Sequence, residues 1–172
     1  MKVIANAGPL MALGKLGLVH LLYSLYGPVL IPSAVYEEVV VRGLELEQPD
    51  AYAVQMAIAR RELVVVESED AGLSEAVQAL PLQWGEKHVI QLGLAEQPDW
   101  VLLDDLLARE EAQRLGLKVK GTLGVIAQAY RNGLMTLAEV ELTFQAILDR
   151  EDIWISDALV RRVWNQLKKA GP

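Results

Sequence analysis

Five positions in the sequence carry oxygen-bearing side chains where a parallel sheet would gather them. Asn6 follows the apolar run "VIA", and Asp104 and Asp105 follow the apolar run "WVLL". Glu38 and Glu86 lie in segments with helical patterning, each among apolar residues. In open parallel sheets, ligands bind beyond the carboxyl ends of the strands, so we expect these side chains to face one crevice.

Carboxylates gathered in one crevice would repel one another unless a cation neutralises them. Ligand sets made only of oxygen select hard divalent ions such as Mg²⁺ or Mn²⁺. A bound ion of this kind lowers the pKa of a water molecule and stabilises charge that develops on a phosphodiester. The residues also have a plain structural interpretation, because an Asp directly after a strand commonly caps the next helix. Spacing alone leaves both interpretations open.

Other candidate sites have less support. His20 and His88 have no partners at ligand spacing, whereas zinc sites need three or four convergent ligands. The stretch "GTLG" at 121–124 lacks the Lys and the glycine spacing of a phosphate-binding loop. We expect the four Trp residues in the core or at an interface, because base-stacking sites usually accompany basic grooves.

The composition is that of a globular protein. The chain has 172 residues, of which 52% are hydrophobic and 23% charged, which predicts a single domain over 1–172. It contains no Cys, which excludes a disulfide framework and a thiolate zinc site and fits a reducing cytosol. The N-terminal residues lack the layout of a signal peptide. We therefore expect a soluble, cytoplasmic protein.

The charge distribution bears on possible partners. A net charge of −7 argues against a broad basic surface for duplex DNA. Local basic groups remain, and we expect them to be solvated helix faces. They are Arg60 with Arg61; Arg109, Arg114, Lys118 and Lys120; and Arg161, Arg162, Lys168 and Lys169. The uncharged stretch 16–36 is interrupted by Gly27, Pro28 and Pro32, so it is expected in the core and not in a membrane.

Strands and helices alternate along the chain. Apolar runs predict strands at 2–6, 29–32, 63–67, 100–105 and within 117–121. Helical spacing predicts helices at 10–25, 33–42, 50–61, 84–97, 106–116 and 122–133, with loop and a short helix in 71–83. Ser33 and Asp50 are expected as helix N-caps, and residues 136–170 as helical with a break at 152–156. This alternation predicts an α/β domain with a mostly parallel sheet and helices on both faces.

Four blocks of the sequence resemble the PIN-domain family. They are "VIANAGPLMALGKLGLVHLL", "VLIPSAVYEEVV", "WGEKHVIQLGLA" and "VLLDDLLAREEAQRLGLKVKGTLGVI", in this order, with "WISDALVRRV" in the tail. More narrowly, they are similar to the VapC-like subgroup. The resemblance implies a three-layer α/β/α domain with a helical C-terminal extension at 136–172. It also implies Mg²⁺ or Mn²⁺ and hydrolysis of single-stranded RNA, in many members as a toxin held in check by an antitoxin protein.

The resemblance assigns roles to the five positions. The first acidic position of the family falls on Asn6, the second on Glu38 and the third on Glu86. The fourth falls on Asp104 or Asp105, and we prefer Asp104 because it comes first after the strand. It implies that Asn6, Glu38, Glu86 and Asp104 are catalytic, and that all five residues are candidate metal ligands.

The chain departs from the family pattern at its first block. An amide at position 6 can coordinate through its oxygen but lacks the negative charge of Asp, so weaker metal binding is expected. Family members often place a hydroxyl residue next, and here Ala7 and Gly8 stand in those places. The sequence therefore leaves two functions open. One is a metal-dependent endoribonuclease, and the other is a catalytically degenerate PIN domain that binds protein or RNA.

A third function, that of a phospho-acceptor receiver domain, ranks below these two. A receiver domain needs its acid pair after the first strand, where this chain has Asn6.

The remaining expectations concern partners. The resemblance implies an RNA substrate, a cognate antitoxin protein and a homodimer. An apolar, Trp-containing tail that would be costly to expose also favours the homodimer.

Overall fold

Five short strands form one sheet in the computed structural model, which describes residues 1–67 and 72–171. The strands are β1 Val3–Ala5, β2 Val29–Pro32, β3 Leu63–Val66, β4 Trp100–Leu102 and β5 Val119–Lys120. Each of the four pairings is parallel, and the strand order is β3-β2-β1-β4-β5. The register aligns Ala5 with Leu102, so the residues that follow β1 and β4 leave the sheet side by side.

Helices connect the strands and flank the sheet, as the predicted α/β class requires. In residues 1–121 they are α1 Ala7–Lys15, α2 His20–Tyr26, α3 Ser33–Tyr36, α4 Arg42–Glu45, α5 Pro49–Ala59, α6 Glu75–Gln78, α7 Trp84–Glu96 and α8 Leu106–Arg114. A π-helical turn at Glu37–Val41 separates α3 from α4. Three more helices follow, α9 Thr122–Arg131, α10 Leu137–Asp149 and α11 Asp157–Ala170.

The chain divides into two compact units, residues 1–121 and 122–172. The first unit contains the whole sheet and all five candidate site residues. The second contains α9, α10 and α11, where the rings of Phe144 and Trp164 pack edge to face with centroids 6.2 Å apart. A single domain over 1–172 stays a prediction.

The central strand β1 shows why the strand predictions succeed. Val3, Ile4 and Ala5 are all fully buried, because neighbouring strands lie on both sides and helices cover the sheet. Parallel strands buried on both faces read as continuous apolar runs, which a single sequence reveals directly. Burial of a side chain such as Ile4 contributes about 1.5–3 kcal/mol, so this strand is a stable base for the polar residue that follows it.

Several boundary predictions are wrong, each for a local reason. Pro32 and not Ser33 is the N-cap of α3, and the expected helix over 33–42 is interrupted by the π-helical turn. Gln48 caps α5, because Pro49 takes the first helical position that its fixed φ favours. Asp50 therefore lies within the first turn and is buried.

Three other expectations need comment. β4 ends at Leu102, which leaves Asp104 and Asp105 beyond the strand. Trp84 and Trp154 are 65% and 91% exposed, so neither lies in the core, and an interface position stays a prediction for both. In the predicted loop and short helix of 71–83, residue 71 lies outside the described residues, and α6 is the short helix.

The uncharged stretch 16–36 is divided as its glycine and prolines predict. Gly27, with φ +75°, ends α2 in a conformation that residues with a Cβ rarely adopt. Leu21, Leu22 and Tyr26 of α2 are buried. Within the described residues, no single helix is long and apolar enough to cross a membrane, and α1 and α2 meet the test only as a pair bent by 118°.

Candidate active site

Asn6 is the first polar residue after β1, and its buried side-chain amide has an oxygen that accepts no hydrogen bond from the described residues. Its backbone N–H donates to the carbonyl of Leu102 at 3.1 Å, which fixes it at the carboxyl edge of β1 and β4. Asn6 is the N-cap of α1, yet its side chain makes no capping hydrogen bond. The side chain is 6% exposed, and its Oδ1 has no hydrogen-bond partner among the described residues. Leaving a buried carbonyl unpaired costs about 1–3 kcal/mol, so this oxygen is available to a ligand.

Gly85, in the first turn of α7, leaves open the space beside Asn6. A Cβ at position 85 would lie 2.9 Å from Oε2 of Glu38 and 3.7 Å from Oδ1 of Asn6. The carboxylate of Glu38 and the amide oxygen of Asn6 therefore border the same small space over the Gly85 Cα. Residues 6, 38 and 85 meet here although they are far apart in the chain.

Glu38 is supplied by the π-helical turn, a helical irregularity that often occurs at functional sites. Its side chain is partly buried. Burial raises the pKa of the Glu38 carboxyl, and the nearby Arg42 guanidinium opposes that rise. The ionised carboxylate is therefore destabilised by its surroundings, and a cation bound beside it would relieve this cost.

Glu86, one residue after Gly85, has two roles. Its Oε2 accepts a hydrogen bond from the backbone N–H of Gln83 at 3.0 Å, as part of a capping box that starts α7. Burial raises the pKa of the Glu86 carboxyl, the Gln83 N–H lowers it, and the charges of Asp105 and Glu38 raise it further. Glu86 therefore shares one electrostatic environment with Glu38 and Asp105.

The two adjacent aspartates differ in their positions. Oδ1 of Asp105 accepts a hydrogen bond from the backbone N–H of Ala108 at 2.9 Å, so Asp105 is the N-cap of α8. This is the plain structural interpretation of an Asp after a strand. Asp104 is partly buried, and its Oδ2 lies 3.8 Å from where a Cβ on Gly8 would stand. Asp104 thus faces the start of α1, next to Asn6.

Comparison with known proteins shows the family of the chain. The model of the DUF3368 family, described as a PIN domain, matches residues 2–169. The chain belongs to the PIN-domain family. No curated protein and no solved structure matches the chain. PIN domains are generally metal-dependent nucleases, so membership supports nuclease activity at the level of the family.

The donor set of this PIN domain fits a hard divalent ion. The buried, unpartnered Oδ1 of Asn6 and the carboxylate of Glu38 are oxygen ligands that border one space. No group of three or more His, Cys, Asp or Glu side chains is gathered to hold a metal within residues 1–67 and 72–171. Mg²⁺ usually keeps several waters and takes only one or two carboxylates from the protein, which is compatible with one carboxylate and one amide oxygen.

The five predicted site residues differ in how closely the fold brings them together. Asn6 and Glu38 border one space, and Glu86 interacts through its charge with Glu38 and with Asp105. Asp104 lies beside Gly8, two residues after Asn6 in the chain. Glu86 and Asp105 also accept backbone hydrogen bonds at helix starts, and convergence of all the acids on one ion stays a prediction.

Two residues at the site escaped the sequence prediction. Gly85 was not predicted, although a glycine inside a helical pattern is a sequence signal that another group packs closely against the helix. Arg109 places its Nη1 2.6 Å from where a Cβ on Gly121 would stand, and Oδ1 of Asp104 lies 2.9 Å from that point. The same Nη1 donates to the carbonyl of Leu103 at 3.1 Å. Arg109 therefore braces the turn that carries Asp104.

Gly85→Ala is expected to weaken Mn²⁺ binding and RNA cleavage without lowering the melting temperature Tm. The added methyl group would displace the Glu38 carboxylate from the space beside Asn6. In a helix, Ala is favoured over Gly by about 0.5–1 kcal/mol, so the fold should not suffer. We expect about a tenfold loss of Mn²⁺ affinity, equivalent to about 1.4 kcal/mol. Calorimetric titration, cleavage rates and Tm measure these effects.

Gly8→Ala is the matched comparison, because both glycines occupy the second position of a helix. A Cβ on Gly8 would lie 3.7 Å from Cβ of Asp104, which is an ordinary contact. We expect this variant to keep most of the cleavage activity. Equal losses in the two variants would show that the space over Gly85 has no special role.

Proposed function

We propose that this PIN domain is an Mg²⁺- or Mn²⁺-dependent endoribonuclease that hydrolyses phosphodiester bonds of single-stranded RNA. One observation carries the proposal. The buried, unpartnered Oδ1 of Asn6 borders one space with the Glu38 carboxylate at the carboxyl edge of β1 and β4. Glu86 lies in the same electrostatic environment, and Asp104 follows the neighbouring strand.

Four side chains would hold the divalent ion in this proposal. Asn6 and Glu38 would hold the ion directly, while Glu86 and Asp104 would hold it directly or through water. When bound, the ion supplies a water of lowered pKa and stabilises charge on the phosphodiester. The hydrogen bond from Gln83 to Glu86 and the contact of Arg109 with Leu103 hold two of these carboxylates in place before any ligand binds.

The amide at position 6 sets the expected metal affinity. It presents an oxygen to the site but contributes no negative charge, so the site attracts a divalent ion less strongly than one with a carboxylate there. Burial raises the pKa of Glu38 and of Glu86, and for Glu86 the charges of Asp105 and Glu38 add to the rise, so a further carboxylate here would be poorly solvated in the metal-free protein. Asn6 thus favours stability of the metal-free state over affinity for the ion.

Within the family, we assign the chain to the VapC-like toxins. Support comes from the sequence blocks that open at residues 3, 29, 84 and 101, which are similar to that subgroup. The assignment includes a cognate antitoxin protein, a homodimer and action in the cytoplasm. A toxin of this kind should arrest growth when expressed alone. Unimpaired growth of the expressing cells would remove the toxin role and leave the nuclease proposal standing.

The nuclease proposal is tested with the purified full chain and a labelled single-stranded RNA. We expect cleavage in the presence of Mn²⁺ that stops when EDTA is added, and a measurable heat of Mn²⁺ binding by calorimetry. A folded protein that binds no Mn²⁺ and cleaves no RNA at any metal concentration would contradict the proposal.

A second candidate function is a catalytically degenerate PIN domain that binds protein or RNA. Two observations favour it, the neutral Asn6 and the lack of a three-residue acidic or His metal group in the described residues. This function predicts that alanine at Glu38 or Glu86 leaves RNA or partner binding intact. The same calorimetric titration separates the two candidates, because only the nuclease requires the metal.

A further inference from the structure

The last helix, α11, concentrates positive charge on a chain that is otherwise acidic. The chain carries a net charge of −7, yet α11 holds four of its 16 Lys and Arg residues within 14 positions. The acid on this helix is Asp157, in its first turn. Because the rest of the surface repels polyanions on average, a local basic surface can decide where such a ligand binds.

These four cations form one face, which we call the α11 basic face: Arg161, Arg162, Lys168 and Lys169. Their spacing of one, seven and eight residues puts them on one side of a helix with 3.6 residues per turn. All four are exposed, whereas Val160 and Leu167 on the other side are buried. The helix is about 21 Å long, so its charges can follow several nucleotides of an extended strand.

The cations of the α11 basic face form no ion pair with the acids that the structure describes. Nζ of Lys168 lies 5.3 Å from the centre of the Trp164 ring, a cation–π contact that positions the side chain but leaves its charge in place. By contrast, Arg150 is paired with Asp152 at 2.8 Å.

An exposed aromatic ring lies just before this helix. Trp154 is 91% exposed and stands two residues before Ser156, the N-cap of α11. Its neighbour Ile153 is buried and anchors the segment. The segment that ends in α11 therefore carries both exposed cations and an exposed aromatic ring. These are the two components of sequence-tolerant binding to single strands, in which cations contact phosphates and bases stack on rings.

We propose that the α11 basic face binds the phosphate backbone of single-stranded RNA and that Trp154 stacks on one of its bases. This inference rests on the proposed function in its choice of RNA, the substrate, as the ligand. The surface adds RNA capture outside the acidic crevice, where negative carboxylates alone would repel the strand. An acidic protein segment is the competing ligand, and the experiment separates the two.

The experiment measures binding of the full chain to a labelled single-stranded RNA of about 16 nucleotides. EDTA is present throughout, so no cleavage occurs and the result does not depend on nuclease activity. The double variant Arg162→Gln with Lys169→Gln is compared with Arg60→Gln with Arg61→Gln, an exposed pair that loses the same charge elsewhere. Affinity is measured by fluorescence anisotropy between about 50 and 200 mM salt.

We expect the α11 double variant to bind RNA about 10- to 30-fold more weakly near 0.1 M salt. The slope of log affinity against log salt should shrink by about 1.4, which is about 0.7 for each lost phosphate contact. Trp154→Ala should weaken binding with an unchanged slope, because stacking releases no counterions. The Arg60 and Arg61 variant should lose less affinity, and all variants should keep their circular dichroism spectrum and Tm.

Other outcomes would overturn the inference. They are a wild-type chain that does not bind the RNA, an unchanged salt slope in the α11 variant, or equal losses in both double variants. Binding of a poly-glutamate peptide to α11 in preference to RNA would assign the surface to an acidic protein. If α11-dependent binding is found in a chain that never cleaves RNA, the inference stands and the nuclease proposal fails.

Discussion

Asp104→Asn is expected to reduce Mn²⁺-dependent RNA cleavage by roughly 10²–10³-fold, the size of effect seen when one electrostatic stabiliser of a transition state is lost. Asn has nearly the same shape as Asp, so the contacts near Gly8 and Gly121 should survive. The change removes one negative charge from the carboxyl edge of β1 and β4. Initial cleavage rates at saturating Mn²⁺ measure the loss, and an unchanged Tm shows that the fold is intact.

Asp105→Asn is the matched control for this prediction. Asn and Asp are about equally good N-caps, so the hydrogen bond from Ala108 that starts α8 should be kept. We expect cleavage within a few-fold of wild type. If Asp105→Asn is the variant that loses activity, the fourth acidic position belongs to Asp105. If both variants cleave normally, neither aspartate serves the reaction.

Asn6→Asp is expected to have opposite effects on the metal-free and the metal-bound protein. Without metal, the introduced carboxylate is buried beside Glu38 and should cost about 1–3 kcal/mol of stability, because it adds a like charge in a poorly solvated place. For a chain of this length, that corresponds to a fall in Tm of roughly 3–10 °C. With Mn²⁺, the same charge should strengthen binding about tenfold or more, which is about 1.4 kcal/mol, and cleavage should rise at limiting metal.

The stability of the metal-free Asn6→Asp variant should fall as the pH rises. We expect burial and the Glu38 charge to raise the folded-state pKa of the introduced carboxyl above its unfolded value of about 3.9. The folded state then binds the proton more tightly than the unfolded state, so the destabilisation develops as pH rises through the raised pKa. In EDTA, the Tm difference from wild type should be largest near neutral pH and should close on acidification to about pH 4.

Asn132→Asp provides the control, because Asn132 is exposed and lies outside the crevice. Surface changes of this kind usually alter stability by less than about 0.5 kcal/mol, and this one should not respond to Mn²⁺. Saturating Mn²⁺ should restore the Tm of Asn6→Asp, since a ligand at 100 times its Kd stabilises the folded state by about 2.7 kcal/mol. A Tm that Mn²⁺ leaves unchanged would show that residue 6 is not a ligand.

Local patterns in the sequence predicted most elements of the fold. The strands β1 and β2 were recognised because buried parallel strands are continuous apolar runs. The edge strand β3, in which Leu63 is buried and Val64 exposed, was recognised by its run of β-branched valines. Helix α7 was predicted over 84–97 and ends at Glu96, just before the proline at position 98. The predicted stop of α8 at Gly116 is confirmed by the positive φ of that residue, +86°, which glycine tolerates best.

Helix starts and the π-helical turn were harder to predict. Ser33 and Asp50 are residue types that favour the N-cap, but Pro32 and Gln48 occupy those positions. The choice of cap depends on which backbone N–H groups the rest of the fold leaves unpaired, and neighbouring residues do not contain that information. For the same reason, the sequence alone could not tell that Asp105 caps α8 while Asp104 does not.

By itself, the sequence determined which residue types follow the strands, and its apolar runs predicted the strands of a mostly parallel sheet. Only the tertiary structure decided that Oδ1 of Asn6 is buried without a partner and that Gly85 opens a space between Asn6 and Glu38. It also decided that Glu86 shares its environment with Glu38. The physical reason is distance along the chain. Hydrophobic periodicity indicates which side of a segment packs against the core. Strand order and register decide which segments contact one another.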